Sequence, residues 1–196
     1  EEVLTAAGPA PMAGRRVLMC HGSPRRMNEF LWESTSSTQF LDWLARKHGA
    51  DVVLCTHTGI HWKRRLPSGG WFVNVGCIGR PANDGRTDVW YTLISRAGDD
   101  DGDPARGAAV DRLEKAAAEA DDRREGGNGR PGEEGEPASG RALDVEFVPV
   151  SYDHEALAEE MRREELPEEF VETILTGWWT TCLEVLPVKE RRRGEY

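Results

Sequence analysis

The sequence predicts an α/β fold in which short buried strands end in polar loops at one edge of an open sheet. Three observations lead to this prediction. Apolar runs of strand length recur along the chain, each ends abruptly at Gly, His or Asn, and a helical pattern follows the first of them. Because the carboxyl ends of strands assemble the site in open α/β sheets, we expect the chemistry in these loops.

The first strand and helix are predicted in the opening part of the chain. Residues 15–20 form a short apolar run that stops at the sequence His-Gly-Ser-Pro at 21–24. Ser36 or Ser37 then caps a helix whose apolar residues recur at spacings of three and four, and which closes at Gly49. The local order is therefore strand, loop, helix.

Three further apolar runs predict strands at 51–55, 71–75 and 89–94. The first of these ends in a polar loop at 56–61 that contains two histidines, and the second ends at Gly76. Consecutive strands thus deliver loops that hold His, Asn and Gly.

An acidic segment interrupts the pattern at 97–140. It contains no aromatic residue and 12 Gly or Pro, so it buries too little apolar surface to offset its ordering entropy. We predict a disordered insertion there, with one solvated helix around 108–120. The chain is accordingly divided into core residues 1–96, this insertion, and a final core part at 141–196.

The final part of the chain begins with alternating apolar and acidic residues at 143–150, which predict a half-exposed strand. Two helices are predicted to follow it. Asp153 caps the first, Pro167 lies in the first turn of the second, and Gly177 ends the second.

The charge and the cysteines exclude several classes of protein. The formal charge is −10, of which −7 belongs to residues 99–136, and no basic stripe is present, so nucleic acid is not an expected partner. No apolar run approaches the roughly 18 residues of a membrane span. The four cysteines form no CxxC pair, which argues against a zinc ribbon and favours a reducing, cytoplasmic setting.

Three of the five histidines lie in loops after predicted strands, namely His21, His57 and His61. Neutral imidazole is the commonest metal ligand, and a turn after a buried strand fixes it while leaving it accessible. These residues therefore predict a metal site, the alternative being that each one only hydrogen-bonds loop backbone. His48 is expected to complement a helix dipole and His154 to lie on the surface.

Basic residues flank the same loops although the chain is acidic. Guanidinium groups bind phosphate oxygens in a forked geometry, so Arg25 and Arg80 are candidates for a substrate phosphate. The alternative is a solvated rim that forms surface ion pairs. Three tryptophans are weaker candidates for stacking on a base, and they are Trp32, Trp62 and Trp71.

The order of the motifs resembles a known family. The sequence reads His-Gly-Ser-Pro at 21–24, Cys-Thr-His-Thr at 55–58, and Asn-Val-Gly-Cys-Ile-Gly-Arg-Pro at 74–81, followed by Asn-Asp-Gly at 83–85 and by Tyr91. This order is similar to the C-terminal half of the calcineurin-like metallophosphoesterases, in a bacterial branch related to small cytoplasmic phosphodiesterases. The resemblance covers about 15–94 and 143–190.

The resemblance implies a fold, an activity and a set of ligands. The fold is the second half of a layered αββα sandwich, and the activity is hydrolysis of a small phosphorylated substrate at two divalent ions (Mn, Fe or Zn) in the complete protein. His21 and His57 match family metal ligands. Asn74 is expected to support them by hydrogen bonding.

This sequence departs from the family at several positions. Gly59 stands where the family has a second histidine, and His61, two residues on, is the candidate replacement. Cys77 replaces a serine and is expected to be packed. The family's N-terminal ligand motifs do not occur, and the first residue is Glu1 rather than Met, so we expect half a site, inactive as this fragment. The alternative is a non-catalytic binding module with a degenerate site.

Overall fold

The structure is a computed structural model that describes residues 10–12, 15–96 and 143–191. The predicted insertion at 97–140 lies outside the described residues. The strands in the described part are β1 (Ala10–Met12), β2 (Arg15–Cys20), β3 (Val52–Cys55), β4 (Trp62–Arg65), β5 (Trp71–Asn74), β6 (Val89–Arg96) and β7 (Leu143–Val150). The helices are α1 (Thr38–Lys47), α2 (His154–Arg163), α3 (Glu168–Thr176) and α4 (Val188–Arg191). Within these ranges, no helix has the length and apolarity needed to cross a membrane.

A five-stranded sheet with the order β1-β2-β3-β5-β4 carries the site. Strands β2, β3 and β5 run parallel, while β1 and β4 pair antiparallel at the two edges. Cys20 is the register partner of Cys55, and Cys55 is the partner of Asn74. The three parallel strands therefore end side by side, as the sequence predicted, and their loops leave from one edge.

The core lies on both faces of this sheet. On one face, Leu41 and Leu44 of α1 pack against Leu18, Val53 and Phe72 in one buried cluster. Successive side chains along a strand point to opposite faces of the sheet, so every second residue of each strand faces α1. The predicted mixture of helices and sheets is thus present.

Strands β6 and β7 form a separate antiparallel pair that packs on the opposite face. Val17 and Val52 of the large sheet share a buried cluster with Leu143 of β7, and Ile94 of β6 packs against it. Helix α1 and the two-stranded sheet thus cover opposite faces of the five-stranded sheet. The complete four-layer sandwich stays a prediction.

The predicted starts of α1 and α2 are confirmed by their capping contacts. The Ser37 side chain accepts a hydrogen bond from the amide of Phe40 at 3.2 Å, and Asp153 accepts one from Ala156 at 2.9 Å. Helix α3 ends at Gly177, whose φ of +72° is the left-handed conformation that favours glycine. Pro167 is one residue outside α3 rather than in its first turn.

Strand β4 was not predicted, because its sequence Trp-Lys-Arg-Arg contains one apolar residue. Trp62 is buried against the α1 face, and the Arg64 guanidinium on the same face donates to the carbonyl oxygens of Glu33 at 2.8 Å and Ser36 at 3.0 Å. The Lys63 ammonium, on the other face, donates to the carbonyl of Val145 at 2.6 Å. Long-range contacts therefore satisfy the basic residues of this strand.

Candidate functional site

Two histidine rings meet at the carboxyl edge of the five-stranded sheet. His21 follows β2 directly, and His57 lies in the loop after β3. The His21 Nε2 and His57 Nδ1 atoms are 2.9 Å apart, and the ring centroids are 4.7 Å apart with the planes at 72°. The contact between these two imidazoles is therefore confirmed, while their role as metal ligands stays a prediction.

The His57 ring is held in an unusual environment. Its backbone φ is +82°, and its ring centroid lies 4.5 Å from that of Phe30. Its Nε2 atom is buried and has no hydrogen-bond partner among the described residues. Burial lowers the pKa of His57, and the neighbouring His21 lowers it further. Both effects favour the neutral ring, which is the form that binds metal ions.

Asn74 fixes the loop that carries His57. This side chain is fully buried at the end of β5. Its amide nitrogen donates to the Thr58 hydroxyl, and its oxygen accepts from the amide of Gly76 at 3.0 Å. The Thr56 hydroxyl donates to the Gly76 carbonyl at 2.9 Å. The hydrogen bonds of Asn74 thus join two loops and go to Thr58 and Gly76 rather than to either imidazole, so its direct support of the histidines stays a prediction.

The loop that carries His21 is equally compact. A Cβ atom at Gly22 would lie 2.3 Å from the Met27 carbonyl oxygen, and the φ of Gly22 is +74°. The buried Ser23 hydroxyl accepts from the amides of Arg25 at 3.2 Å and Arg26 at 3.1 Å. The sequence after β2 therefore folds into a tight turn that positions His21.

His61 has different neighbours from the histidine pair. Its ring centroid lies 4.4 Å from Trp90 and 4.6 Å from Phe147, both on the two-stranded sheet. Across the described ranges, no group of three or more His, Cys, Asp or Glu side chains is arranged to hold a metal ion. His61 therefore does not complete such a group with His21 and His57.

The indole of Trp179 fills the space beside Gly59. A Cβ atom at Gly59 would lie 3.2 Å from this ring, and the φ of Gly59 is +74°. The Trp179 indole nitrogen donates to the Pro81 carbonyl at 2.7 Å, and its backbone amide donates to Asn83 Oδ1 at 2.8 Å. A side chain at position 59 would therefore require the Trp179 ring to shift by a few tenths of an ångström, and it would also have to adopt left-handed backbone.

Both candidate phosphate-binding arginines already have protein partners. Arg25 forms an ion pair with Glu29 and lies 4.8 Å from the centroid of Phe40. The Arg80 Nη2 atom donates to the Thr181 carbonyl and hydroxyl oxygens, each at 3.1 Å. The pairing of Arg25 with a carboxylate four residues on is visible in the sequence, whereas that of Arg80 is not.

The remaining candidates have other protein partners, although Trp32 stacks on Phe30, which contacts His57. Arg16 is paired with Asp51 at the opposite end of the sheet, where the parallel strands begin. Trp32 and Trp62 are buried in core clusters, which fits packing rather than base stacking. The half-exposed aromatic residue beside the histidine pair is Phe30, which the sequence analysis missed. Its only signal was an aromatic residue in the loop that follows the His-Gly-Ser-Pro turn.

Cys77 corrects one expectation. The thiol is expected from the sequence to be packed, but it is exposed in the structure. Its sulfur accepts a hydrogen bond from the amide of Gly79 at 3.4 Å.

Comparison with known proteins gives similarity at the level of the fold. No family model matches the chain, and no curated protein matches it. A crystal structure of a hypothetical protein from Pyrococcus horikoshii OT3 matches with a TM-score of 0.56 at 16% identity, over 88% of this chain and 50% of that one. A metallophosphoesterase from Sphaerobacter thermophilus matches with a TM-score of 0.47 at 17% identity, over 85% of this chain and 56% of that one. The chain spans about half the length of these solved structures.

Proposed function

We propose that this chain carries the histidine edge of a metal-dependent phosphoesterase site and that the remaining ligands come from outside the described residues. The observation that carries the proposal is the 2.9 Å contact between His21 Nε2 and His57 Nδ1 at the ends of two parallel strands. The order of motifs that resembles the metallophosphoesterases supports the reaction class. The half-length match to the Pyrococcus structure supports a larger complete fold.

The histidine pair fits a cation in its chemistry but not yet in its spacing. Two imidazole nitrogens on one tetrahedral cation lie about 3.3 Å apart, since each bond is roughly 2.0–2.1 Å. At 2.9 Å, His21 and His57 share a hydrogen bond, so binding requires loss of that proton and a small separation. The orphaned His57 Nε2 is a second nitrogen that lacks a partner among the described residues.

Two histidines do not fit a pair of metal ions. Each divalent ion needs several ligands, with carboxylates to balance its charge, and the described residues supply no such group. We therefore propose that the Mn, Fe or Zn ions are bound only in the complete site. There, divalent ions would polarise a phosphoester and activate water. His21 and His57 would bind, while Asn74 would keep the His57 loop in place.

The proposed substrate is a small phosphorylated molecule. Arg25 and Arg80 are the candidate phosphate contacts, and each would have to exchange its present partner, Glu29 or Thr181, for phosphate oxygens. Such an exchange is chemically reasonable because guanidinium groups bind phosphate in the same forked geometry as carboxylate.

A second candidate function is a non-catalytic binding module with a degenerate site. The observation that favours it is the Trp179 ring beside Gly59, because the ring crowds the position where the resembled family has its second histidine. The sequence encoded upstream of Glu1 separates the two candidates. An in-frame Asp-x-His and Gly-Asn-His segment supports the enzyme, and a sequence without them supports the binding module.

Equilibrium dialysis of the chain against Mn²⁺ or Zn²⁺ tests the proposed metal edge. We expect weak binding that His21→Ala lowers at least tenfold and that His154→Ala, at the first residue of α2, leaves unchanged. Equal binding by all three proteins would overturn the proposal. Hydrolysis of an aryl phosphodiester by this chain alone at about 1 s⁻¹ or faster would contradict the claim that ligands are missing.

A further inference from the structure

Two exposed cysteines lie beside one arginine at the carboxyl edge of the sheet. Cys77 is in the loop after β5, and Cys182 follows α3 along the chain. They are 105 positions apart in sequence, yet both flank Arg80. The proposed phosphoesterase function uses neither thiol.

The contacts of Arg80 bring the Cys182 segment to this place. The Arg80 guanidinium donates to both oxygens of Thr181, the residue before Cys182, at 3.1 Å. It also lies over the Trp179 ring, with its central carbon 3.7 Å from the ring centroid. The segment from Trp179 to Cys182 is therefore anchored against the loop that carries Arg80.

Cys77 and the same tryptophan both lie beside Gly59. A Cβ atom placed at Gly59 would lie 4.0 Å from the Cys77 Cβ and 3.2 Å from the Trp179 ring. Cys77 therefore lies close to Trp179, and Cys182 directly follows the Thr181 that Arg80 contacts.

Both thiols are exposed and lie near a cationic side chain. Burial lowers the pKa of Arg80, and the side chains of Cys182 and Cys77 oppose that shift, Cys182 in part through a hydrogen bond. A cationic neighbour and an exposed position are the features that distinguish reactive cysteines from inert ones. Intracellular disulfides, where they occur, are usually transient or redox-sensing.

We propose that Cys77 and Cys182 form a thiol pair that a small disulfide, such as oxidised glutathione, converts into an intramolecular disulfide. One protein thiolate attacks a glutathione sulfur, which forms a mixed disulfide and releases the first glutathione thiolate. The second protein thiolate then attacks the protein sulfur of that bond and releases the second glutathione. Two protein thiols are oxidised, one glutathione disulfide is reduced, and the two protons go to the departing thiolates.

The other two cysteines provide an internal control. Cys20 and Cys55 are register partners on adjacent strands, so they are also close to each other. Burial raises the pKa of Cys20 to about 12 and that of Cys55 well above its usual value. Because the thiolate is the attacking species, we expect these two to stay reduced in the folded chain.

The disulfide would fix the segment around Trp179 against the loops of the carboxyl edge. Trp179 fills the space beside Gly59, two residues from His57. Oxidation would therefore hold the Trp179 ring in its place beside Gly59.

Peptide mapping of the oxidised full chain tests the proposal. The chain is incubated at low concentration with oxidised glutathione, alkylated in denaturant and digested with trypsin. We expect peptide 66–86 linked to peptide 164–189 in the monomer, with two hydrogens fewer than their sum and reversal by a thiol reductant. Peptides that contain Cys20 and Cys55 should be alkylated. Cys77→Ser and Cys182→Ser, both at exposed positions, should each abolish the linked peptide.

Several outcomes would overturn the proposal. They are glutathione mixed disulfides on both cysteines without the internal link, a link between two chains, a Cys20 to Cys55 link in its place, or four alkylated cysteines after oxidation. Circular dichroism of each serine variant checks that the fold is retained, so that loss of the linked peptide reports the missing thiol.

Discussion

Polar groups are paired differently at the two ends of the parallel strands in the five-stranded sheet. We call the end where these strands begin the amino edge and the end where they finish the carboxyl edge. At the amino edge, the Asp51 carboxylate accepts from the Arg16 amide at 2.8 Å and from its guanidinium at 3.4 Å, while the Asp51 amide donates to the Arg16 carbonyl at 2.8 Å. At the carboxyl edge, His21 and His57 share one hydrogen bond, and the buried His57 Nε2 has no partner among the described residues. The polar groups at the start of these two strands are therefore hydrogen-bonded to each other. At the end of the strands, one buried nitrogen has no hydrogen-bond partner among the described residues.

This difference separates structural polar groups from candidate functional ones. Buried polar atoms are almost always hydrogen-bonded, so an orphaned one needs an explanation. Functional sites commonly retain such groups at a cost in stability. We therefore expect substitutions at the amino edge to change stability, and substitutions of the histidine pair to change ligand binding with little effect on stability.

The largest expected effect is at Gly70, in the turn at the amino edge. A Cβ atom there would lie 2.1 Å from the Asp51 carbonyl oxygen, a backbone atom that cannot move aside cheaply. Gly70→Ala should therefore lower the free energy of unfolding by about 3 kcal/mol in urea titrations. The matched control is Gly69→Ala, where no atom lies within 4 Å and only the φ of +86° is unfavourable. It should cost about 1 kcal/mol. Equal losses for the two variants would show that the Asp51 carbonyl does not exclude a side chain at position 70.

The next effect is expected at Asn74, the support of the histidine loop. Asn74→Ala removes two buried side-chain hydrogen bonds, so the Thr58 hydroxyl and the Gly76 amide each lose the partner that Asn74 provides. We expect a loss of about 2 kcal/mol in unfolding free energy. The exposed Asn28→Ala serves as the control and should change nothing. A stable Asn74→Ala protein would remove the argument that this residue holds the His57 loop.

A smaller effect is expected from the ion pair of the amino edge. The amide and guanidinium of Arg16 hold the pKa of Asp51 below its ordinary value of 3.8. Its contribution to stability is present above that value and is lost as the pH falls through the lower, folded value. Because both side chains are partly exposed, Asp51→Asn should cost at most about 1 kcal/mol at neutral pH. Its unfolding should also depend less on acid than that of the wild type, and an unchanged acid dependence would contradict this.

The smallest effect on stability is expected at His57 itself. His57→Asn suits the φ of +82°, since Asn tolerates left-handed backbone, and it removes the orphaned nitrogen. From thermal unfolding at pH 8, we expect the free energy of unfolding of the variant to lie within about 1 kcal/mol of that of the wild type. Since the folded pKa of His57 is below 6.5, the unfolded chain binds more protons, and the wild type should lose stability relative to the variant as the pH falls below 6.5. The opposite trend would show that folding favours the charged ring.

The sequence indicated the local features more readily than the long-range ones. The strand ends, the Ser37 and Asp153 caps and the left-handed Gly177 follow from patterns within a few residues. The contact of His21 with His57 followed from one general rule, that parallel strands end at one edge.

Other features depended on contacts between distant residues. The Arg80 partner Thr181 and the Trp179 ring beside Gly59 come from segments about a hundred residues away, and no local pattern signals them. Strand β4 was missed because its basic side chains are satisfied by carbonyls of the 33–38 segment and of β7. Whether His61 replaces the ligand missing at Gly59 stays a prediction, and its aromatic neighbours do not favour it.

Nuclear magnetic resonance of the histidine ring nitrogens during a Zn²⁺ titration tests the central claim most directly. If His21 and His57 form a cation-binding pair, their ring ¹⁵N signals should shift together at the same Zn²⁺ concentration, while those of His48 and His154 stay in place. His57→Asn should abolish the shift of His21. Independent titration of the two rings, or equal shifts at His48 and His154, would contradict the account.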